Sequence, residues 1–264
     1  MTTVLANYGE HLALFRTLLA DDCRQSVLLF RGESGVGKTA LLNACVTEAK
    51  RKADEIHCVS IQLRYASVSI AEIFYRLGGY IGWPHLANFM ARVAAFQEAP
   101  TINIEKNWMV GQNHISVALH AESPADRQLR QAALTDAFFH DLRALSQPLL
   151  IVMDTYEDAH TEVQQWLDGP FLSRVAQTLQ VRVLVAGQQV PDAHNIEWGF
   201  CCQAQDLYGV HEAAHWLPVV AAMNRIIPAP DPHSWLAGIC HALKGRPNAI
   251  MQIIENLPQQ ETWA

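Results

Sequence analysis

Residues 32–39 read Gly-Glu-Ser-Gly-Val-Gly-Lys-Thr, and this octapeptide restricts the possible folds more than any bulk property of the chain. The pattern G-x-x-x-x-G-K-T is complete in Gly32, Gly37, Lys38 and Thr39; Glu33, Ser34, Gly35 and Val36 form the spacer, and Ala40 follows. The apolar run Val27-Leu28-Leu29-Phe30 stands before it, and a helix-like segment from Lys38 to about Lys52 comes after. Strand, glycine loop and helix in that order make a phosphate-binding loop. The glycines let successive main-chain N–H groups turn inward around an anion, and the helix presents its positive end to the same anion. Lys38 is then placed along the β- and γ-phosphates, and the Thr39 hydroxyl is placed to ligate Mg²⁺.

The bulk numbers agree with a chain that folds around such a loop. Of 264 residues, 50% are hydrophobic and 17% charged, enough for a sizeable core in one large α/β unit with a small helical appendage. The net charge of −7, with 19 Lys and Arg, argues against a broad electrostatic footprint for nucleic acid. The one basic run, Lys50-Arg51-Lys52, falls where the helix after the loop should end, and cations favour a helix C-terminus. No apolar run approaches the roughly 18 residues of a membrane span, and the N-terminus lacks the pattern of a signal peptide. Cys23, Cys45, Cys58, Cys201, Cys202 and Cys240 show no C-x-x-C spacing, which reads as free thiols in a reducing, cytoplasmic setting.

Along the chain, strands alternate with helices. Residues 8–21 are amphipathic at helical spacing, and Ile56–Leu63 reads as the second strand. Helical periodicity runs through 69–99, broken at Gly78-Gly79 and Gly82-Trp83-Pro84. Ile102-Asn103-Ile104 and Ile115–Leu119 alternate like a short hairpin, or belong to an insertion that never joins the main sheet. A helix is expected from Arg130 to about Leu145. The fully apolar strand Leu149–Met153 follows, and then a helix around Trp166 to Leu179. Val181–Ala186 is a further strand, Ile196–Cys202 a candidate last strand, and the remainder helical. The alternation predicts a parallel sheet covered on both faces, with residues 1–205 as the nucleotide-binding α/β domain and 206–264 as a C-terminal helical segment.

Asp154 directly follows the buried strand, at the edge where a parallel sheet carries its ligand crevice. It is the candidate second Mg²⁺ ligand beside Thr39. Glu157 is the candidate for positioning the attacking water, with Asp158 behind it, although both are also placed to cap the next helix. Thr155 occupies the position next to the metal carboxylate where many ATPases carry an acid, which predicts slow turnover. Gln188, just past the strand 181–186, is a candidate sensor of the γ-phosphate or a plain loop residue.

The stretch Ala133–Leu142, followed by Leu149–Glu157, resembles the ATPase core of bacterial STAND proteins, signal-transduction ATPases with numerous domains related to the AAA+ superfamily. Gly245-Arg246-Pro247 is similar to their G-x-P element. The resemblance covers residues 5–255 and is weakest at 83–125. It implies a P-loop NTPase fold of the ASCE/AAA-like kind, with ATP or ADP and Mg²⁺ as cofactors. It further implies that Pro247 packs against adenine and that the Tyr8 region lies beside the base. Tyr8-Gly9-Glu10 stands where the family usually has Gly-Arg-Glu, and Gln188 where it often has arginine. The chain stops just past the G-x-P helix, so an isolated motor, a shortened module, or an effector on another chain is expected.

His211-Glu212-Ala213-Ala214-His215 spells the H-E-x-x-H of zinc proteases. With 12 histidines in the chain and no marked third ligand, a helical histidine pair is the preferred reading. Trp83, Trp108, Trp166 and Trp235 read as core, whereas Trp198 and Trp216 are left between core and a partner surface. The expected activity is a slow ATPase switch controlling nucleotide-dependent homo-oligomerisation or a protein partner. The alternative is an AAA-like motor or loader acting on protein or DNA, in which Arg174 or Arg182 would be donated between subunits. A P-loop kinase ranks lower, since no arginine-rich acceptor lid is visible.

Overall fold

The computed structural model describes residues 5–20, 23–52, 55–64, 68–97 and 111–259. Five strands, β1 (Val27–Gly32), β2 (His57–Gln62), β3 (Leu149–Asp154), β4 (Val181–Gly187) and β5 (Cys202–Leu207), form one parallel sheet in the order β2-β3-β4-β1-β5. Eleven α-helices are seen among the described residues. α1 (Gly9–Leu18) and α2 (Lys38–Lys50) cover one face, and α2 ends on the basic run as its charge requires. Between β2 and β3 lie α3 (Ile70–Ile81), α4 (Ala87–Phe96), α5 (Gln112–Leu119) and α6 (Pro124–Leu142); α7 (Thr161–Trp166) and α8 (Leu172–Ala176) precede β4. α9 (Ala213–Ala222), α10 (Pro232–Ala242) and α11 (Pro247–Glu255) close the chain around an apolar cluster of their own.

The central strands show why their sequences are unbroken apolar runs. Val27 and Leu29 face one cluster and Leu28 and Phe30 the other; Leu149, Ile151 and Met153 alternate in the same way with Leu150 and Val152. Period-two alternation persists, but both faces are buried, so no polar residue marks it. On the larger face Phe74 packs against Phe89, Phe138 and Trp166 at ring separations of 5.0, 5.1 and 5.2 Å. Each such pair adds about 0.5–1.5 kcal/mol beyond its buried area.

Four expectations need correcting. Ile115–Leu119 is the end of helix α5, not a hairpin arm: Ile115, Ala118 and Leu119 are buried at i, i+3 and i+4, while Val117 is 57% exposed. The other proposed arm, 102–104, and Trp108 lie outside the described residues. The last strand is Cys202–Leu207 rather than 196–202. Ile196 is 97% exposed, and the true strand is a polar edge strand (Cys-Gln-Ala-Gln-Asp-Leu) that hydropathy does not reveal. α6 begins at Pro124, where the Ser123 hydroxyl accepts the Asp126 N–H at 3.0 Å and Pro124 occupies the first helical position. The expected helix around 166–179 starts at Thr161 and passes through a π-helical turn, Leu167–Phe171, around Pro170.

All six cysteines are free. Among the described residues no helix is long and apolar enough to cross a membrane.

Candidate nucleotide site

The sheet order puts β1 between β4 and β5, so the loop after β1 opens at the point where the strand order reverses. Around it the C-terminal edge carries Gly32, Asp154, Gly187 and Leu207. Gly35 (φ 87°) and Gly37 (φ 92°) take the left-handed conformation. At Gly37 a Cβ would also lie 2.5 Å from the Tyr8 hydroxyl oxygen, so neither the backbone nor the space admits a side chain. α2 starts at Lys38 with no side-chain cap, which leaves its first N–H groups directed at the loop.

The loop is held from outside. The Tyr8 hydroxyl donates to the Val36 carbonyl, and the Asn248 N–H donates to the Gly35 carbonyl at 3.3 Å. In a planar trans peptide the carbonyl and the following N–H point opposite ways. Drawing these two carbonyls outward therefore turns the N–H groups of Val36 and Gly37 inward. Burial pushes the Tyr8 phenol up to about 12, so it stays a donor. Lys38 folds over the loop and donates to the carbonyls of Gly32 (2.6 Å) and Glu33 (2.9 Å). Burial lowers the pKa of its ammonium, and the nearby Glu157 and Asp154 carboxylates oppose that shift.

The Thr39 hydroxyl donates to the buried Asp154 carboxylate at 2.8 Å. Two hard oxygen donors side by side suit Mg²⁺, and the inward N–H groups suit a phosphate, so the residues present fit a Mg²⁺–nucleotide. The next residue, Thr155, is left-handed (φ 61°), a conformation costing a β-branched residue about 1–3 kcal/mol. This kink throws the chain into a 3₁₀ turn, Tyr156–Asp158. Glu157 comes to the end of β4, where its carboxylate accepts the Gln188 main-chain N–H at 2.8 Å. Asp158 is exposed. Tyr156, buried, anchors the turn by donating to Asp168 at 2.6 Å. Burial raises the Asp168 carboxyl, and the Tyr156 hydrogen bond offsets part of that. The Gln188 side chain lies at a cleft of about 570 Å³ shared with Glu33, Ser34, Lys244 and Arg246.

On the other side of the loop is a small, mainly apolar hollow of about 70 Å³. Tyr8, Gly37, Ala40 and Pro247 line it together with Trp216, Val219 and Met251. The structure thus gathers the base-side residues inferred from the resemblance, Tyr8 and Pro247, at one spot beside the loop.

The sequence profile of the AAA ATPase domain matches residues 9–185. The chain belongs to the AAA ATPase domain family. No curated protein sequence matches it. Among solved structures this AAA ATPase is similar to the ORC1 protein of Aeropyrum pernix, solved in complex with DNA. The identity is 15%, the match covers 96% of this chain and 59% of that one, and the TM-score is 0.54. It is also similar to Cdc6p of Pyrobaculum aerophilum, at 12% identity over 95% of this chain and 61% of that one, with a TM-score of 0.50. The chain spans about three fifths of these proteins, and at such identities the likeness is one of fold: a parallel five-stranded sheet flanked by helices.

Other sequence candidates settle elsewhere in this AAA ATPase. His211 and His215 do not share a helix, because α9 begins at Ala213. The His211 ring lies against Gly245, and His215 sits 3.3 Å from Glu212. Among the described residues no group of three His, Cys, Asp or Glu is placed to hold a metal. Trp198 is fully buried and donates to the Asp168 carbonyl, and Trp216 is buried and donates to the Val210 carbonyl, so neither lines a partner surface. Arg174 pairs with Asp136, and Arg182 is buried against the carbonyls of Leu18 (3.1 Å) and Cys23 (3.5 Å). Two contributors escaped sequence reasoning. Asn248 carried one signal, its place after the G-x-P proline; Asp168 carried none, since its role depends on the π turn.

Proposed function

We propose that the chain is an ATP- and ADP-binding switch of the STAND kind that hydrolyses ATP slowly. Its nucleotide state would set the position of α9–α11 and, through them, self-association or a protein partner on another chain. In this reading the loop 32–40 holds the phosphates, with Lys38 neutralising their charge. Thr39 and Asp154 hold Mg²⁺, Glu157 positions water, Gln188 senses the γ-phosphate, and Tyr8 and Pro247 flank adenine.

The observation that carries the slow-switch reading is the turn after Asp154. No carboxylate adjoins the metal ligand, and the nearest one, Glu157, is already hydrogen-bonded to the Gln188 N–H. That bond occupies one of its two oxygens and holds the carboxylate at the end of β4, so a base acting from there is not the residue beside the metal ligand. The lining of the hollow supports a link between nucleotide and the C-terminal helices. Its walls come from α9 and α11 as well as from the phosphate loop, so a base seated there would touch helices that belong to a separate apolar cluster. Gly245-Arg246-Pro247, with its proline at the hollow, supports the STAND assignment.

A loader acting on DNA or protein is the alternative, favoured by the ORC1 neighbour solved with DNA, although the net charge of −7 speaks against a nucleic-acid surface. The test is to identify the nucleotide that co-purifies, measure the single-turnover rate, and measure mass in solution with ADP and with ATP. Trapped ADP, slow turnover and a mass change with ATP are the expected result. An empty site with sustained multiple turnover, stimulated by duplex DNA, would replace the switch with the loader.

A further inference from the structure

We infer that Asn248 is the residue by which this site selects adenine over guanine, an inference that rests on the nucleotide-binding reading above. The hollow beside the phosphate loop is walled by Leu5, Ala40, Val219, Pro247 and Met251, surfaces that accept a purine face without choosing between purines. Choice requires a polar side chain with hydrogen-bonding capacity left over. Three side chains at the hollow carry polar atoms: Tyr8, Trp216 and Asn248. The Tyr8 hydroxyl is committed to the Val36 carbonyl and the Trp216 indole N–H to the Val210 carbonyl. The Asn248 side-chain amide makes no hydrogen bond among the described residues.

Its chemistry suits one base. A carboxamide offers an acceptor oxygen beside a donor nitrogen. Adenine presents the complement on its N6/N7 edge, an N–H donor beside an acceptor, whereas guanine presents two acceptors, O6 and N7. Asn248 is exposed at the rim of the hollow, and an amide paired with guanine there sets its oxygen against a second acceptor, which is unfavourable. Asn248 is also well anchored. It follows Pro247 in the first turn of α11, and its own N–H grips the Gly35 carbonyl. Its backbone is thereby held against the phosphate loop, which keeps the side chain at the rim of the hollow where a nucleotide seated by its phosphates would bring its base. The main-chain contact survives in Asn248→Ala, which separates base reading from loop support.

The experiment is titration of the whole chain, with Mg²⁺, against ATP, GTP, 7-deaza-ATP (which lacks N7) and inorganic tripolyphosphate, for the wild type and Asn248→Ala. The wild type is expected to prefer ATP to GTP by roughly tenfold or more, and to lose several-fold on 7-deaza-ATP. Asn248→Ala should abolish both differences and bind tripolyphosphate as the wild type does. An ATP-to-GTP ratio unchanged by Asn248→Ala, with tripolyphosphate affinity intact, overturns the inference and leaves the nucleotide reading standing. A wild type that binds neither nucleotide overturns both.

Discussion

The two sides of the phosphate loop are built differently. On the sheet side the groups that would meet phosphate and metal are already in place: inward N–H groups, Lys38 over the loop, and Thr39 bonded to Asp154. On the other side the walls of the hollow come from three distant stretches, residues 5–8, 37–40 and 216–251. The first side is preorganised and rides on β1, β3 and β4 at the centre of the sheet. The second depends on how α9 and α11 sit, and these belong to a separate apolar cluster. Phosphate recognition here is therefore expected to be rigid, and base recognition to depend on the placement of the C-terminal helices.

Lys38→Ala should have the largest effect, weakening ATP, ADP and tripolyphosphate alike by about a hundredfold through loss of charge-assisted hydrogen bonds, with melting little changed. Tight binding retained in that variant, measured by calorimetry, would break the preorganised-side description. Asp154→Ala should spare much of the Mg²⁺-free affinity for ATP but reduce the gain on adding Mg²⁺ by about tenfold, consistent with a lost charged ligand. An undiminished gain would move the metal elsewhere. Tyr8→Phe removes one neutral hydrogen bond worth about 1 kcal/mol. ATP and tripolyphosphate should both weaken by about fivefold, since the Tyr8 hydroxyl supports the loop rather than the base; weakening of ATP alone would recast it as a base contact. Pro247→Ala should be the mildest and the most selective. ATP weakens by about fourfold, for the loss of about one methylene's worth of wall, and tripolyphosphate does not change. A matching loss on tripolyphosphate would show that the two sides are not separable.

Much of the sheet was readable because buried parallel strands write themselves as apolar runs: β1, β3 and β4 fall where the sequence puts them. The edge strand β5 was not, since one exposed border relaxes the demand for apolar residues and leaves Cys-Gln-Ala-Gln-Asp-Leu looking like loop. Helix α5 was misread because in Ile-Ser-Val-Ala-Leu periods of two and of three to four fit equally well. Only packing against α3, α4 and α6 selects the helical period. Trp198 and Trp216 illustrate the same limit. Their indole N–H groups find buried carbonyls that are invisible to a reading of composition.

By itself the sequence determined the phosphate side, because a phosphate cradle needs only main-chain N–H groups, left-handed glycines, one lysine and one hydroxyl, all within eight consecutive residues. Asp154 was equally legible, as a carboxylate at the end of a buried strand. The position of Glu157 and the hollow beside the loop were decided by the tertiary structure alone. Glu157 reaches the end of β4 through a left-handed Thr155, a conformation no side-chain pattern announces, and the hollow exists only where the order of strands and the packing of the last helices bring Tyr8, Trp216, Pro247 and Asn248 together. Local chemistry is encoded locally; a site assembled from segments some two hundred residues apart is fixed by the free energy of the whole fold.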